Sequence, residues 1–291
     1  MKKWNVLMLA LCLLAGCAAP EANVPAGRNA PPLAAAEPTQ EEPCYYTVDM
    51  VTWEDGVRDE DGTPLARYSC RLPELTVRRA NGTAVLEPGT EAEERALAAA
   101  DTFNSQFAAW TSEEHLQELA EMARSERAWR QEAQIEWDSG FFTELDCQVY
   151  ETDRLVSIAR NYYSYTGGAH PNTILTAWNF DLETGEFFAP EQLAEDGEAF
   201  SQAVRDEIVR QIRERAEESG LAAEEMFWSN YEEIAGWWSS YAVSFDETGM
   251  TVAYSPYELA AYAAGPQSFR LPYDLLASYL SDYGRGVLGL Q

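Results

Sequence analysis

The chain has 291 residues, and its 20 Lys plus Arg stand against 49 Asp plus Glu, a net charge of −29. At 46% hydrophobic and 12% aromatic it has material for a real core, enough for one large or two modest domains. Such an acid excess excludes nucleic acid as a partner and disfavours anionic lipid, because phosphate binding needs a basic face. It suits cationic partners, which a field of this sign steers, or simply keeps an exposed protein soluble.

The first seventeen residues read as an address. Lys2 and Lys3 precede an apolar run from Val6 to Leu14, and Leu14-Ala15-Gly16-Cys17 closes it with small residues before a cysteine. The run is too short to span a bilayer, and the cysteine sets it apart from a plain secretory signal. Residues 1–16 are therefore expected to be a lipoprotein signal peptide. Cys17 is the expected lipidation site, carrying palmitate-type acyl chains that hold the chain on the extracytoplasmic face of the cell membrane. Cleavage leaves 18 Arg against 49 acids, or −31, with no lysine. Residues 17–43, rich in Ala, Pro and Glu, read as an extended tether. The cysteines beyond it are Cys44, Cys70 and Cys147, which allow one disulfide and a free thiol, or none.

Structure is predicted from Cys44. Cys44–Trp53 and Ala66–Val77 read as strands, separated by a turn-rich stretch. Leu97, Ala100, Phe103 and Phe107 recur at helical spacing in Ala92–Ala109. A second helix opens at Thr111, with Glu114 three residues on as a capping box, and runs toward Ile135. Strands follow at Gly140–Tyr150, Arg154–Tyr165 and Thr173–Leu182. Pro190–Leu193 is a helical turn, and Glu198–Ser219 is an amphipathic helix closed by Gly220. Trp237–Phe245 and Met250–Ser255 read as a hairpin, Phe269–Leu271 as a strand and Tyr273–Tyr283 as a final helix. The blocks of like elements predict an α+β fold with largely antiparallel sheets, packed helices and two intertwined or adjacent subdomains, 44–170 and 171–291.

Catalytic motifs are missing. The two histidines, His115 and His170, have no H-E-x-x-H spacing, and no nucleophile elbow, phosphate loop or C-x-x-C pair occurs. No catalytic residue, metal or cofactor is expected. Asp59-Glu60-Asp61-Gly62 reads as a plain turn, since Val57 sits where a calcium loop needs an oxygen ligand. Trp228, Tyr231, Trp237, Trp238 and Tyr241 are dense enough for a contact surface, but burial in the core is the expected reading.

One segment stands out, Tyr162-Tyr163-Ser164-Tyr165-Thr166-Gly167-Gly168-Ala169-His170-Pro171-Asn172-Thr173, where two glycines after an aromatic strand permit close backbone approach. Together with Trp178 to Gly185 it resembles the signature shared by the outer domain of RsiV-type anti-sigma factors and the non-catalytic part of PdaC-type peptidoglycan deacetylases. Ser255-Pro256-Tyr257-Glu258-Leu259-Ala260-Ala261-Tyr262-Ala263-Ala264-Gly265, then Phe269 and Leu271-Pro272-Tyr273, resembles the ending of the same family. The resemblance implies extracytoplasmic domains of unknown function, which in RsiV bind lysozyme. The family's cytoplasmic anti-sigma segment and the deacetylase's catalytic domain have no counterpart here, and Ala261 stands where the family commonly has proline. Tyr165, Gly167, Gly168, His170, Pro256, Tyr257 and Tyr262 are the expected contact residues. The expected function is a non-enzymatic binding module anchored only by lipid, with a lysozyme-like cationic protein or peptidoglycan as partner. The alternative is an enzyme acting on cell-wall glycan or peptide through carboxylates the sequence does not locate.

Overall fold

The computed structural model describes residues 43–110, 113–137 and 139–290. The expected signal peptide, Cys17 and the tether up to residue 42 lie outside the described residues, as does the expected cap residue Thr111.

Two sheets organise the chain. The first contains β1 (Tyr45–Arg58), β2 (Pro64–Arg78), β3 (Phe141–Glu151), β4 (Leu155–Tyr165), β5 (Asn172–Asp181) and β6 (Glu186–Phe187), in that order. Every pairing in it is antiparallel except β2 with β3. That parallel pair needs a long crossover, which α1 (Glu91–Ala108) and α2 (Glu113–Glu132) supply. Both helices bury one stripe on the sheet: Ala96, Ala100, Phe103 and Phe107 from α1, and Leu116, Leu119, Ala120 and Ala123 from α2. Phe103 meets Phe180 of β5 edge-on at 5.3 Å, so aromatic packing ties α1 to the sheet.

The second sheet is β7 (Ala242–Asp246), β8 (Gly249–Tyr254) and β9 (Gln267–Pro272), all antiparallel. It is covered by α3 (Gly197–Glu218), whose Phe200, Val204, Ile208 and Ile212 are fully buried at the spacing the sequence shows. Asp196 caps this helix by accepting from the Glu198 and Ala199 N–H groups, and Gly220 beyond its end takes φ +70°. Short helices α4 (Ala223–Met226), α5 (Tyr231–Gly236), α6 (Tyr273–Leu276) and α7 (Asp282–Leu288) fill the rest.

A small polar cluster joins the sheets. Strand β7 is an edge, and its outward backbone groups would be unpaired. Instead the Phe245 N–H donates to Ser157 Oγ at 2.8 Å, and Asn179 Nδ2 donates to the Val243 carbonyl at 2.9 Å. Ser157 in turn donates to Asn179 Oδ1 at 2.8 Å, closing a buried network. Nearby, Asp181 is fully buried and receives Arg154 at 3.1 and 2.6 Å, Tyr283 at 3.1 Å and the Glu183 N–H at 2.9 Å. Burial alone would push the Asp181 carboxyl up; these donors outweigh it and hold its pKa below the usual range. β5 pairs with β4 and packs on β7, so the expected halves share the first sheet.

The architecture is α+β with largely antiparallel sheets, as the element pattern predicts. Three details differ. The expected strand Trp237–Phe245 begins only at Ala242, because Trp238 turns inward, fully buried, to meet Phe200 edge-on at 5.8 Å. The expected helix Tyr273–Tyr283 is broken in two: the Ser281 N–H and hydroxyl bond the Leu193 carbonyl at 3.0 and 2.9 Å, and Ser281 then caps α7. β1 runs five residues past Trp53. Cys44, Cys70 and Cys147 are free thiols, the last two buried. Among the described residues no helix is long and apolar enough to cross a membrane.

Candidate binding surface

The loop between β4 and β5 carries Gly167 and Gly168 at φ +91° and +94°, a region costly for any other residue. A Cβ on Gly167 would also meet Phe141 at 3.4 Å. Tyr165 Oη donates to the Gly168 carbonyl at 3.2 Å and steadies the turn. His170 Nδ1 lies 2.9 Å from the Pro171 carbonyl. A carbonyl only accepts, so Nδ1 carries the proton in this contact, and Nε2 lies 3.4 Å from Tyr257 Oη.

Some ninety residues later a second loop meets the first. Buried Ser255 accepts from the Leu175 N–H at 3.1 Å, and its own N–H donates to Glu258. Between them Tyr257 is held at φ +72° and is 55% exposed. Trp228 Nε1 donates to the Tyr257 carbonyl at 2.9 Å and fixes the turn from outside. Tyr262 Oη donates to the Pro171 carbonyl at 2.7 Å, and its ring stacks on His170 at 3.6 Å between centroids. Tyr257 completes the group, 5.5 Å from Tyr262 and 6.3 Å from His170. Ala261 takes φ −62° and ψ 154°, the geometry a proline would impose, so the departure from the family pattern leaves the loop intact. The fold thus brings His170, Tyr257 and Tyr262 together as one aromatic patch, with Tyr165, Gly167 and Gly168 shaping its loop and Pro256 half-buried beside it. A non-glycine residue in left-handed backbone costs about 1–3 kcal/mol and is retained where its surroundings hold it there.

On the other side of Gly167 lies an acidic groove of about 710 Å³, lined by Glu118, Glu121, Glu126 and the half-exposed Met122 of α2, with Phe141 and Thr166. Glu126 is paired with Arg130 at 2.9 Å, whereas Glu118 and Glu121 make no ion pair among the described residues. The groove shares Glu118, Met122 and Thr166 with a small cavity of about 130 Å³ lined by Tyr68, Trp110, His115 and Tyr162. His115 is exposed and stacks near Tyr68 and Trp110, at 6.4 and 6.5 Å. Behind it the buried Arg160 guanidinium sits between Trp110 at 4.2 Å and Trp178 at 4.8 Å. Burial pushes its pKa down, and Nε and Nη1 have no hydrogen-bond partner. Glu118 and Glu121 carry no signal in the sequence, because an acidic helix stripe looks like any solvated face.

Other candidates resolve differently. Arg127 bonds both Asp59 and Asp61 and holds Asp61 at about 2, so that segment is a clamped turn. Of the dense aromatics, Tyr231 and Trp238 are core, Tyr241 is half-buried, and Trp228 and Trp237 are exposed. Among the described residues no group of three or more His, Cys, Asp or Glu is placed to hold a metal ion.

Comparison with known proteins agrees with this organisation. Residues 91–173 match the family model described as Deacetylase PdaC, and residues 187–274 match the one described as Protein of unknown function (DUF3298). The chain therefore carries a PdaC-type segment followed by a DUF3298-type segment. The Gly167–His170 loop closes the first and the Tyr257–Tyr262 loop lies in the second, so the patch forms where they meet. A crystal structure of a DUF3298 family member from Bacteroides fragilis NCTC 9343 superposes with a TM-score of 0.57 at 14% identity, over 84% of this chain and 96% of that one, and shares the fold. One from Pseudomonas aeruginosa PAO1 gives 0.46 at 17% identity, over 81% and 95%. No curated protein matches the chain.

Proposed function

We propose that this protein is a non-enzymatic, extracytoplasmic binding module, anchored to the cell membrane by lipid on Cys17, that captures a cationic protein. A lysozyme-like protein is the most concrete partner. The observation carrying this reading is the Gly167–His170 loop, set between an exposed aromatic patch and an acidic groove with two unpaired glutamates. Aromatic rings at the centre and charge at the rim suit protein recognition, and acid at the rim selects cations. The resemblance to lysozyme-binding domains and the net charge of −29 support the same partner. Retention of lysozyme on the immobilised chain tests it. Retention at low salt, weaker at moderate salt, is expected; no retention in either would sink this partner.

The second reading is an enzyme acting on wall glycan or peptide through paired carboxylates. One observation favours it, the match of residues 91–173 to a family model described as a deacetylase. Turnover of peptidoglycan fragments, lost on changing one Asp or Glu pair, would establish it.

A further inference from the structure

The acidic groove is bordered by a longer feature, the outward face of α2. That helix buries Leu116, Leu119, Ala120 and Ala123 on the sheet, so the residues on its opposite side meet solvent. There His115, Met122 and Trp129 recur one heptad apart, all exposed, Met122 by 50% and Trp129 by 56%. Seven residues make almost two full turns, so the three share one line along a helix of 20 residues, ~30 Å long.

Charge follows the same line. Glu118, Glu121 and Glu132 flank it, exposed and without an ion pair among the described residues. The three arginines of the helix are directed elsewhere. Arg127 is clamped by Asp59 and Asp61, and Arg130 pairs with Glu126 at 2.9 Å. Arg124 lies two positions from Met122 and so on another flank.

Apolar side chains at heptad spacing with acids beside them form one half of a helix–helix seam. The other half must bring apolar residues to the line and cations to its edges. A second copy of this chain brings the same acids and is repelled, and so is an anionic bilayer. An extended strand repeats its side chains every ~7 Å, which does not match a line spaced by ~10 Å.

We propose that the outward face of α2 docks a basic amphipathic helix, with apolar residues at heptad spacing flanked by Lys or Arg. Met122 and Trp129 pack into its apolar seam, and Glu118, Glu121 and Glu132 meet its cations. The inference rests on the reading of this surface as a receiver of cations, and adds that what it receives is helical.

Anisotropy titration of the full chain with a labelled, capped peptide of three Leu-Lys-Lys-Leu-Leu-Lys-Leu repeats tests it. A control peptide with the same residues in alternating Leu-Lys order carries the same charge but favours a strand. Saturable binding of the heptad peptide is expected, about tenfold tighter than the control. The Met122→Ser/Trp129→Ser double variant should weaken it about tenfold, because two exposed apolar anchors are lost. Glu118→Gln/Glu121→Gln should weaken it and reduce its salt dependence, and Trp237→Ala, an exposed tryptophan elsewhere, should leave it unchanged. No saturable binding, equal affinity for the two peptides, or undiminished affinity in the Met122/Trp129 variant would each overturn it. Lysozyme retained without peptide binding counts against this inference alone, whereas loss of both removes the wider reading as well.

Discussion

The junction between the sheets and the aromatic patch put polar and aromatic side chains to opposite uses. At the junction, Asp181, Arg154, Tyr283, Ser157 and Asn179 satisfy one another and are mostly buried. At the patch, Tyr257 is exposed on a backbone no tyrosine prefers, and the groove beside it keeps unpaired glutamates. Closed networks hold a structure together, whereas exposed rings and unpaired charge are left for something else to meet.

Breaking the junction should cost most. Asp181→Ala removes the fully buried partner of Arg154 and the acceptor of Tyr283, leaving Arg154 only the exposed Glu183 at 2.7 Å, and should destabilise by about 3 kcal/mol, read from denaturant midpoints. A loss under 1 kcal/mol would show the network to be dispensable. The same carboxylate sets an acid limit. Its pKa is lowered in the fold, and Arg270 with Thr248 holds Asp246 at about 2. Their contribution is complete above the unfolded carboxylate value of about 4 and is lost as pH falls toward about 2. Stability measured from pH 6 downward should therefore decline in that window, and Asp181→Asn should flatten the slope.

The patch should respond in the opposite sense. Tyr257→Gly removes left-handed strain worth about 1–2 kcal/mol, so stability should hold or rise while partner binding falls. A clear drop in stability would make Tyr257 a structural residue. The smallest effect belongs to Ala261→Pro, expected to stabilise by about 0.4–1 kcal/mol because the native φ already suits proline.

Periodicity revealed the long elements, and its failures have local causes. The buried stripes of α1 and α3 stand at helical spacing in the sequence, so their positions were legible. Trp237–Tyr241 reads as a strand because aromatics favour strands, yet contact with Phe200 wound it into a turn. The break before α7 depends on Leu193, 88 residues away, which no local pattern reports. The contact loops were legible through motif resemblance. That His170 would stack on Tyr262, and that Glu118 and Glu121 would flank the same loop, required the fold.

The central claim is most directly tested by titrating lysozyme onto the full chain, the Tyr257→Ala variant and the Glu118→Gln/Glu121→Gln double variant at two salt concentrations. Weaker binding in both variants is expected, with salt dependence reduced only in the double variant, because rim charge governs steering and the ring governs contact. Equal affinity and equal salt dependence in all three proteins would contradict the assignment of this surface.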